Sequence, residues 1–439
     1  MKPLAPPRPS AALQPGWRLS NVVAVAPFLL LWAAPHRALA YTPCGSACYQ
    51  SDGSAADTQA AIDAADDGWR VQLPAGEHDW SNQVSLAGKA ISLSGAGVGQ
   101  TKIRSSYGGQ WNDPVLSVLE SAAGNAIVEG ITFVGSTGAD EGVLVGIHSA
   151  DGGQPVIIRH CRFDPPEGGG SISRAVDESS GRALVHDCTF TACGTQAIRF
   201  GGPSDSWSQP DSMGSGENAF VENCEFREIP NQTFDFDSNS RAVIRHNLFV
   251  DSSMTSHGLC TSESSLRHFE IYDNTFDFDE SDPPGLSWWI YVRGGTGVVT
   301  DNVMDDLNSQ MWGDKTEIVL TVFALQRSCG QYPGTCCTAY PCEQQVGQGY
   351  DGAAYATDPI YVWNNVGTAA VGCSDYSPDE CGNGLSCGDY VQEGRDYLLS
   401  AKPGYTKFTY PHPLHDQAGG GGAGGVVGGG GGGGTSPAG

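Results

Sequence analysis

Five charged residues in the middle of this chain have types and spacings that could do chemistry. Asp235 and Asp237 flank Phe236, Asp177 follows Val176, and Arg199 and Arg293 follow Ile198 and Val292. In each run apolar and charged residues alternate, the pattern of a strand with one face inward and one outward. Two carboxyls about 6.5–9.5 Å apart with room for a water molecule support glycoside hydrolysis with inversion. Asp235 and Asp237 on one strand would stand about 7 Å apart, and Asp177 and Asp235 about 9–10 Å apart if their strands lie two steps apart in a parallel stack. The same residues also suit β-elimination from an acidic sugar. Arg199 or Arg293 would then serve at the reacting carbon, with a Ca2+ ion held by Asp235 and Asp237 against the sugar carboxylate. Spacing alone leaves both chemistries open.

The elements that must position these residues come from a repeat. Residues 241–249, 267–276 and 295–304 read RAVIRHNLF, RHFEIYDNTF and GTGVVTDNVM, with Asn247, Asn274 and Asn302 each two places before Phe249, Phe276 or Met304. Earlier the same phrase carries Cys161, Cys188 or Cys224 in the Asn place. A unit of this length, with short β-branched runs, Gly turns and no helical period, cannot bury its own apolar face and must stack. Stacked in parallel at about 4.8 Å per step, the units form an all-β solenoid with an inward Asn column and an inward column of small, buried thiols. A further coil is expected at Ile360–Gly367, with Asn365 in the ladder place.

The second strand of each coil is expected to turn Ile147, Val176, Ile198, Phe234 or Phe236, Cys260 and Val292 inward. Alternation then puts His148, Asp177, Arg199, Asp235 with Asp237, Thr261 and Arg293 on the outer face. Insertions at 201–218 and 279–288 would wall a groove there, with Trp207, Trp288, Trp289 and Tyr291 offering flat faces for sugar rings. A plain ladder of cross-strand ion pairs gives the same pattern.

The repeat, the entry passage (a helical run from Asp57 to Ala65, then Val71–Gly76 and the Gly95–Gly97 turn) and the closing passage Lys402–Leu414 together resemble the pectin lyase-like family of right-handed parallel β-helix proteins. The resemblance extends over most of the chain after residue 40. It implies a single-stranded right-handed parallel β-helix with an N-terminal helical cap, and a substrate groove on one outer sheet lined by acidic residues or calcium and a basic residue. Polygalacturonases of this fold are similar in carrying paired acids, then Gly-His-Gly, then Arg-Ile-Lys. Here Asp235 and Asp237 are split by Phe236, His257 lacks the preceding Gly, and Arg293 lacks the Lys, so that specific activity is not implied.

Composition bounds the partners. A net charge of −26, from 23 Lys and Arg against 49 Asp and Glu, disfavours nucleic acid and anionic membranes. Residues 1–40 read as a signal peptide, with Arg18, an apolar run from Val22 to Ala34 and the small-residue site Ala38–Ala40, so no integral span is expected after its removal. Fourteen Cys suit a secreted or cell-surface protein, and their crowding between Cys329 and Cys387 predicts disulfide-rich C-terminal loops. Tyr405, Phe408, Tyr410 and Leu414 are expected to form a lid over the last coil, kept from further strand pairing by Pro411 and Pro413. Residues 418–439 form a Gly-rich flexible tail. The expected organisation is therefore a signal peptide (1–40), a β-helix (41–417) and a tail, in a monomer that binds an acidic polysaccharide and cleaves it by lyase or hydrolase chemistry. The rival reading is a non-catalytic surface adhesin or structural β-helix protein.

Overall fold

The computed structural model describes residues 40–107, 113–135, 142–166, 172, 174–229, 232–256, 265–278, 286, 288–305, 318–320, 344–367, 371–373 and 387–417. Residues 1–39 of the expected signal peptide, the expected Gly-rich tail, Cys260, Thr261, His257 and most of the cysteine-rich stretch expected to form loops lie outside these residues. Three sheets of 13, nine and ten strands account for nearly all the secondary structure. Apart from an antiparallel start, where Thr42–Pro43 pairs with Cys48–Gln50, their strands pair in parallel. Each coil contributes one strand to each sheet in turn: Leu184–His186, Thr189–Thr191 and Gln196–Phe200 form one coil, and Ala219–Glu222, Glu225–Arg227 and Phe234–Phe236 the next. This is a parallel β-helix. Among the described residues no helix is long and apolar enough to cross a membrane.

The turn between the first and second sheets repeats in detail. His160, Asp187, Asn223, His246, Asp273, Asp301 and Asn364 have φ between 49° and 56°, and each immediately precedes a ladder residue. Left-handed backbone strains most L-residues, and Asn, Asp and His tolerate it best because their short polar side chains bond locally. Asn274 donates from Nδ2 to Asn302 Oδ1 at 2.9 Å and accepts at Oδ1 from Asn247 Nδ2 at 3.0 Å; Asn302 donates in turn to Asn365 Oδ1 at 2.9 Å. The coil expected at Ile360–Gly367 is therefore present. Cys161, Cys188 and Cys224 hold the same place as free, buried thiols.

Two residues on, Phe133, Phe163, Phe190, Phe226, Phe249 and Phe276 form one stack, with successive centroids 4.6–5.4 Å apart and planes within 12°. In-register stacking forces this, because each ring lands on its counterpart one strand spacing away. The helical run in the entry passage forms a helix over Ala55–Ala64, which packs Ala61 and Ile62 into the core. Cys44 pairs with Cys48, and Cys373 with Cys387.

The closing passage is not a lid over the last coil. It runs back along the outer face of the first sheet as a strap. Lys407 reaches Asp301 and Asp273, Arg245 donates to the carbonyls of Phe408 and Thr409, Tyr410 Oη donates to Asn223, and Arg159 donates to the carbonyl of Gln417. The reason is a row of outward apolar residues, Ile127, Ile157, Leu184, Phe220 and Val243, stacked in register, against which Phe408 and Leu414 pack. Leaving that row in water would cost about 25 cal/mol for each Å² of apolar surface. Beside it runs a charged column, Glu129, Arg159, His186, Glu222 and Arg245, in which Glu222 and Arg245 meet at 2.6 Å with side chains wholly buried.

Two outcomes follow from the ladder. Asn274→Ala strands several buried partners at once and should destabilise the protein by about 3 kcal/mol or more, read by denaturant unfolding. Burial pushes the thiols of Cys161, Cys188 and Cys193 up, away from the reactive thiolate. Together with Cys224 they should resist alkylation in the native protein and react only once it is unfolded; disulfide-linked peptides among them would contradict the register described here.

Candidate functional site

The third sheet carries the charged column on its outer face. Gly146, Asp177, Arg199, Asp235, Thr255 and Tyr291 stand in register on successive strands. The order Asp177, Arg199, Asp235 is the one expected, but three neighbours differ, among them Arg293, whose expected place beside Thr255 is taken by Tyr291 because alternation puts Arg293 two residues further along the strand. Val145, not Ile147, aligns with Val176, so Gly146 rather than His148 precedes Asp177. The coil after Asp235 uses Met254–Ser256 as its third strand. That puts Thr255 in the column, where Thr261 was expected. The physical reason is that the spacing between a third strand and the next ladder residue varies from coil to coil: Ser256 lies 18 residues before Asn274, but Phe236 lies 11 before Asn247.

Arg199 is the hub of the column. It donates from Nη1 to Asp177 at 3.3 Å and from Nη2 to Asp237 at 2.9 Å, while Arg174 donates to the other oxygen of Asp177 at 3.0 Å. Burial would lower the Arg199 pKa, but the Asp177 and Asp237 carboxylates outweigh it and raise it. The pairing with two carboxylates therefore favours the cationic form of Arg199. Asp235 is 2% exposed and accepts from Gln196 Nε2 at 2.5 Å. Asp237 is held by Arg199 and Asp235 by Gln196, and among the described residues no third His, Cys, Asp or Glu ligand atom is grouped with this pair.

The aromatic residues divide. The rings of Trp288 and Tyr291 lie 4.7 Å apart with their planes tilted at 34°, and the Arg293 guanidinium lies 5.2 Å from the Tyr291 ring, so these three form one cluster at the end of the column, in which Tyr291 is itself buried, 2% exposed. Trp289 is instead a core residue, wholly buried against Phe276 with its indole N–H donating to the Asp305 carbonyl, and has no face for a sugar. Trp207, from the 201–218 insertion, is 5% exposed; its indole N–H donates to the Ser265 carbonyl and the Arg267 guanidinium lies over its ring.

That insertion does wall a cavity. It is a half-open hollow of about 470 Å³ lined by Ser204, Asp205, Trp207, Ser208, Asn239, Gln344, Tyr350 and Tyr355. Asn239 lies two residues beyond Asp237, which puts the cavity beside the charged column. Tyr350 and Tyr355, half-buried on the antiparallel hairpin Gln348–Tyr350 and Tyr355–Thr357, were not foreseen. The hairpin interrupts the repeat, so periodicity gave no signal for them.

Next to Asp177, Glu178 is wholly buried, and one of its oxygens accepts from Ser180 Oγ at 2.5 Å and from the backbone N–H groups of Ser180 and Gly181. Burial pushes its carboxyl up to about 7. The folded state therefore favours the protonated acid, a preference that aids folding fully below the ordinary value of 4.5 and is lost as pH rises through about 7. Glu178→Gln, a mimic of that acid, should stabilise the protein at pH 8 by on the order of 1–3 kcal/mol and have much less effect at pH 5, measured by denaturant unfolding at both values.

No protein-family model matches this sequence, and no curated protein is detectably similar to it. Among solved structures, a PL6 family polysaccharide lyase of Pseudopedobacter saltans is 14% identical, with 76% of this chain and 79% of that one covered and a TM-score of 0.46. An alginate lyase of Paenibacillus sp. str. FPU-7 is 15% identical, with 58% and 94% covered and a TM-score of 0.36. A protein of Geobacillus virus E2 is 14% identical, with 57% and 53% covered and a TM-score of 0.31. These are distant structural likenesses, and they assign no role to any residue here.

Proposed function

We propose that this is an exported β-helix protein that binds an acidic polysaccharide along the outer face of the third sheet. The observation that carries the reading is the register-aligned run Asp177, Arg199, Asp235, Thr255, Tyr291, which ends on the Trp288, Tyr291 and Arg293 cluster and lies beside the aromatic-walled cavity. The chain as a whole carries −26. Along this strip, however, Arg174, Arg199 and Arg293 balance Asp177, Asp235 and Asp237, so a polyanion meets less repulsion here than the overall charge suggests. Arginine suits the planar carboxylate of an acidic sugar, and Tyr350 and Tyr355 suit the apolar faces of its ring. Disulfides at Cys44–Cys48 and Cys373–Cys387 support an oxidising compartment.

For cleavage, Arg199 and Arg293 would bind and orient the sugar carboxylate, and the acid and base would come from Asp177, Asp235 or Asp237. A non-catalytic surface role is the second reading. It is favoured by one observation: Arg199 is already paired on both sides, as in a purely structural ladder.

A panel of alginate, polygalacturonate and neutral glucans tests the proposal. Binding should be confined to the acidic chains and weaken at least tenfold in Tyr355→Ala with an unchanged Tm. If the strip cleaves, absorbance at 235 nm will mark elimination, or new reducing ends without it will mark hydrolysis, and Asp235→Asn will abolish the signal. Binding to none of the acidic chains, or equal binding by wild type, Tyr355→Ala and Asp235→Asn, would overturn the proposed site in favour of the structural reading.

A further inference from the structure

On the first sheet, far in function from the strip just described, the strap meets a second cluster. Asp187, at the left-handed turn position, has three imidazoles around one oxygen. His186 Nδ1 lies 2.8 Å from Asp187 Oδ2, His415 Nε2 lies 3.2 Å from it, and His160 Nδ1 lies 4.0 Å from it. Ligand atoms of His186, Asp187 and His415 all lie within 4.8 Å of one another.

The surrounding coils make this cluster stand out. Glu129 is met by Arg159, Glu222 by Arg245, and Asp273 and Asp301 by Lys407. Asp273 is approached by His246 as well as Lys407, whereas Asp187 is paired with imidazoles only among the described residues. Among the described residues it has no Lys or Arg partner.

We propose that His186, Asp187 and His415, joined by His160, bind one zinc ion that clamps the strap to the β-helix. Bonds of about 2.0–2.2 Å in a tetrahedron put neighbouring ligand atoms about 3.3 Å apart; the gaps of 2.8 and 3.2 Å to Asp187 are near this, while the remaining gaps, up to 4.8 Å within the trio and 4.0 Å to His160, must close on the ion. His415 is oriented as a metal-bound imidazole usually is: its Nδ1 lies 3.0 Å from an Asp416 carboxylate oxygen, which turns Nε2 toward Asp187. His186 is wholly buried, and its Nε2 has no hydrogen-bond partner, so Asp187 is the group that its ring faces with a polar atom. His160 is largely exposed and free to swing in as the fourth ligand. An imidazole-rich set with one carboxylate favours zinc over calcium and magnesium, which prefer oxygen ligands. Because His415 belongs to the strap and the other three to the coils, the ion would join segments more than 220 residues apart in the chain.

The test uses the full-length protein stripped with chelator, titrated calorimetrically with ZnCl2 and, separately, with CaCl2 and MgCl2. One zinc per chain should bind at micromolar concentration or tighter and slow proteolytic loss of residues after Lys402, while calcium and magnesium do neither. His415→Ala should weaken zinc binding at least tenfold. His160→Asn, which keeps the left-handed turn that Asn223 adopts elsewhere, should weaken it without altering metal-free stability. Absence of stoichiometric zinc binding, or binding by both variants as tight as by wild type, would overturn the proposal and mark any bound metal as an adventitious ion only.

Discussion

Stacking in register is the constraint on which everything else in this molecule depends. Each strand can satisfy its backbone N–H and C=O groups only through the coils before and after it, at one strand spacing. Whatever occupies a position therefore touches its counterpart in the next coil. Inside, this favours repetition, seen in the phenylalanine stack and the asparagine ladder. Outside, it penalises repetition of charge, because like charges on adjacent strands repel. Both outer columns answer with alternation of sign: Asp177, Arg199 and Asp235 on the third sheet, and Glu129 with Arg159 and Glu222 with Arg245 on the first. Alternating charge is thus partly the fold's own requirement. What sets the third sheet apart is its company, since its column ends on aromatic residues and adjoins a cavity, whereas the column on the first sheet is sealed beneath the strap.

The strict positions of this pattern were legible in the sequence. The ladder residue has one allowed location, two before an inward Phe and just after a residue that tolerates left-handed backbone, and so it could be counted from Cys161 to Asn365. The third strands were less legible because the loops around them vary in length. Met254–Ser256 is a short strand without charge, and nothing in its composition distinguishes it from a turn. Trp289 and Trp288 are adjacent and chemically identical, yet one fills the core and the other lies against Tyr291; alternation identifies a pair of faces without saying which is which. The path of the strap was hidden for a different reason. Tyr405, Phe408 and Leu414 read correctly as residues needing an apolar partner, but the sequence pairs them with no particular surface, and the outward row of Ile157, Leu184, Phe220 and Val243 becomes visible only once the strands are aligned.

The cavity and the imidazole cluster share a feature that explains why neither emerged from the repeat. Each joins segments from different levels of organisation: the cavity a loop insertion and a late hairpin, the cluster two coils and the strap. A solenoid repeats only what one coil does to the next, so sites assembled across that hierarchy carry no periodic signature.

The strap also bears on how the coils are made. The coils precede the strap in synthesis, and coils can stack as they appear. Until Phe408 and Leu414 arrive, the growing solenoid displays a continuous oily stripe on one flank and a naked Glu222–Arg245 pair. A chain that stops early, or is clipped near Lys402, keeps that stripe uncovered for good, a surface of the kind that invites self-association and capture by proteases. The strap thus acts as a seal across the coils from Arg159 to Asp301, and the outer row is covered only where coils and strap are both in place.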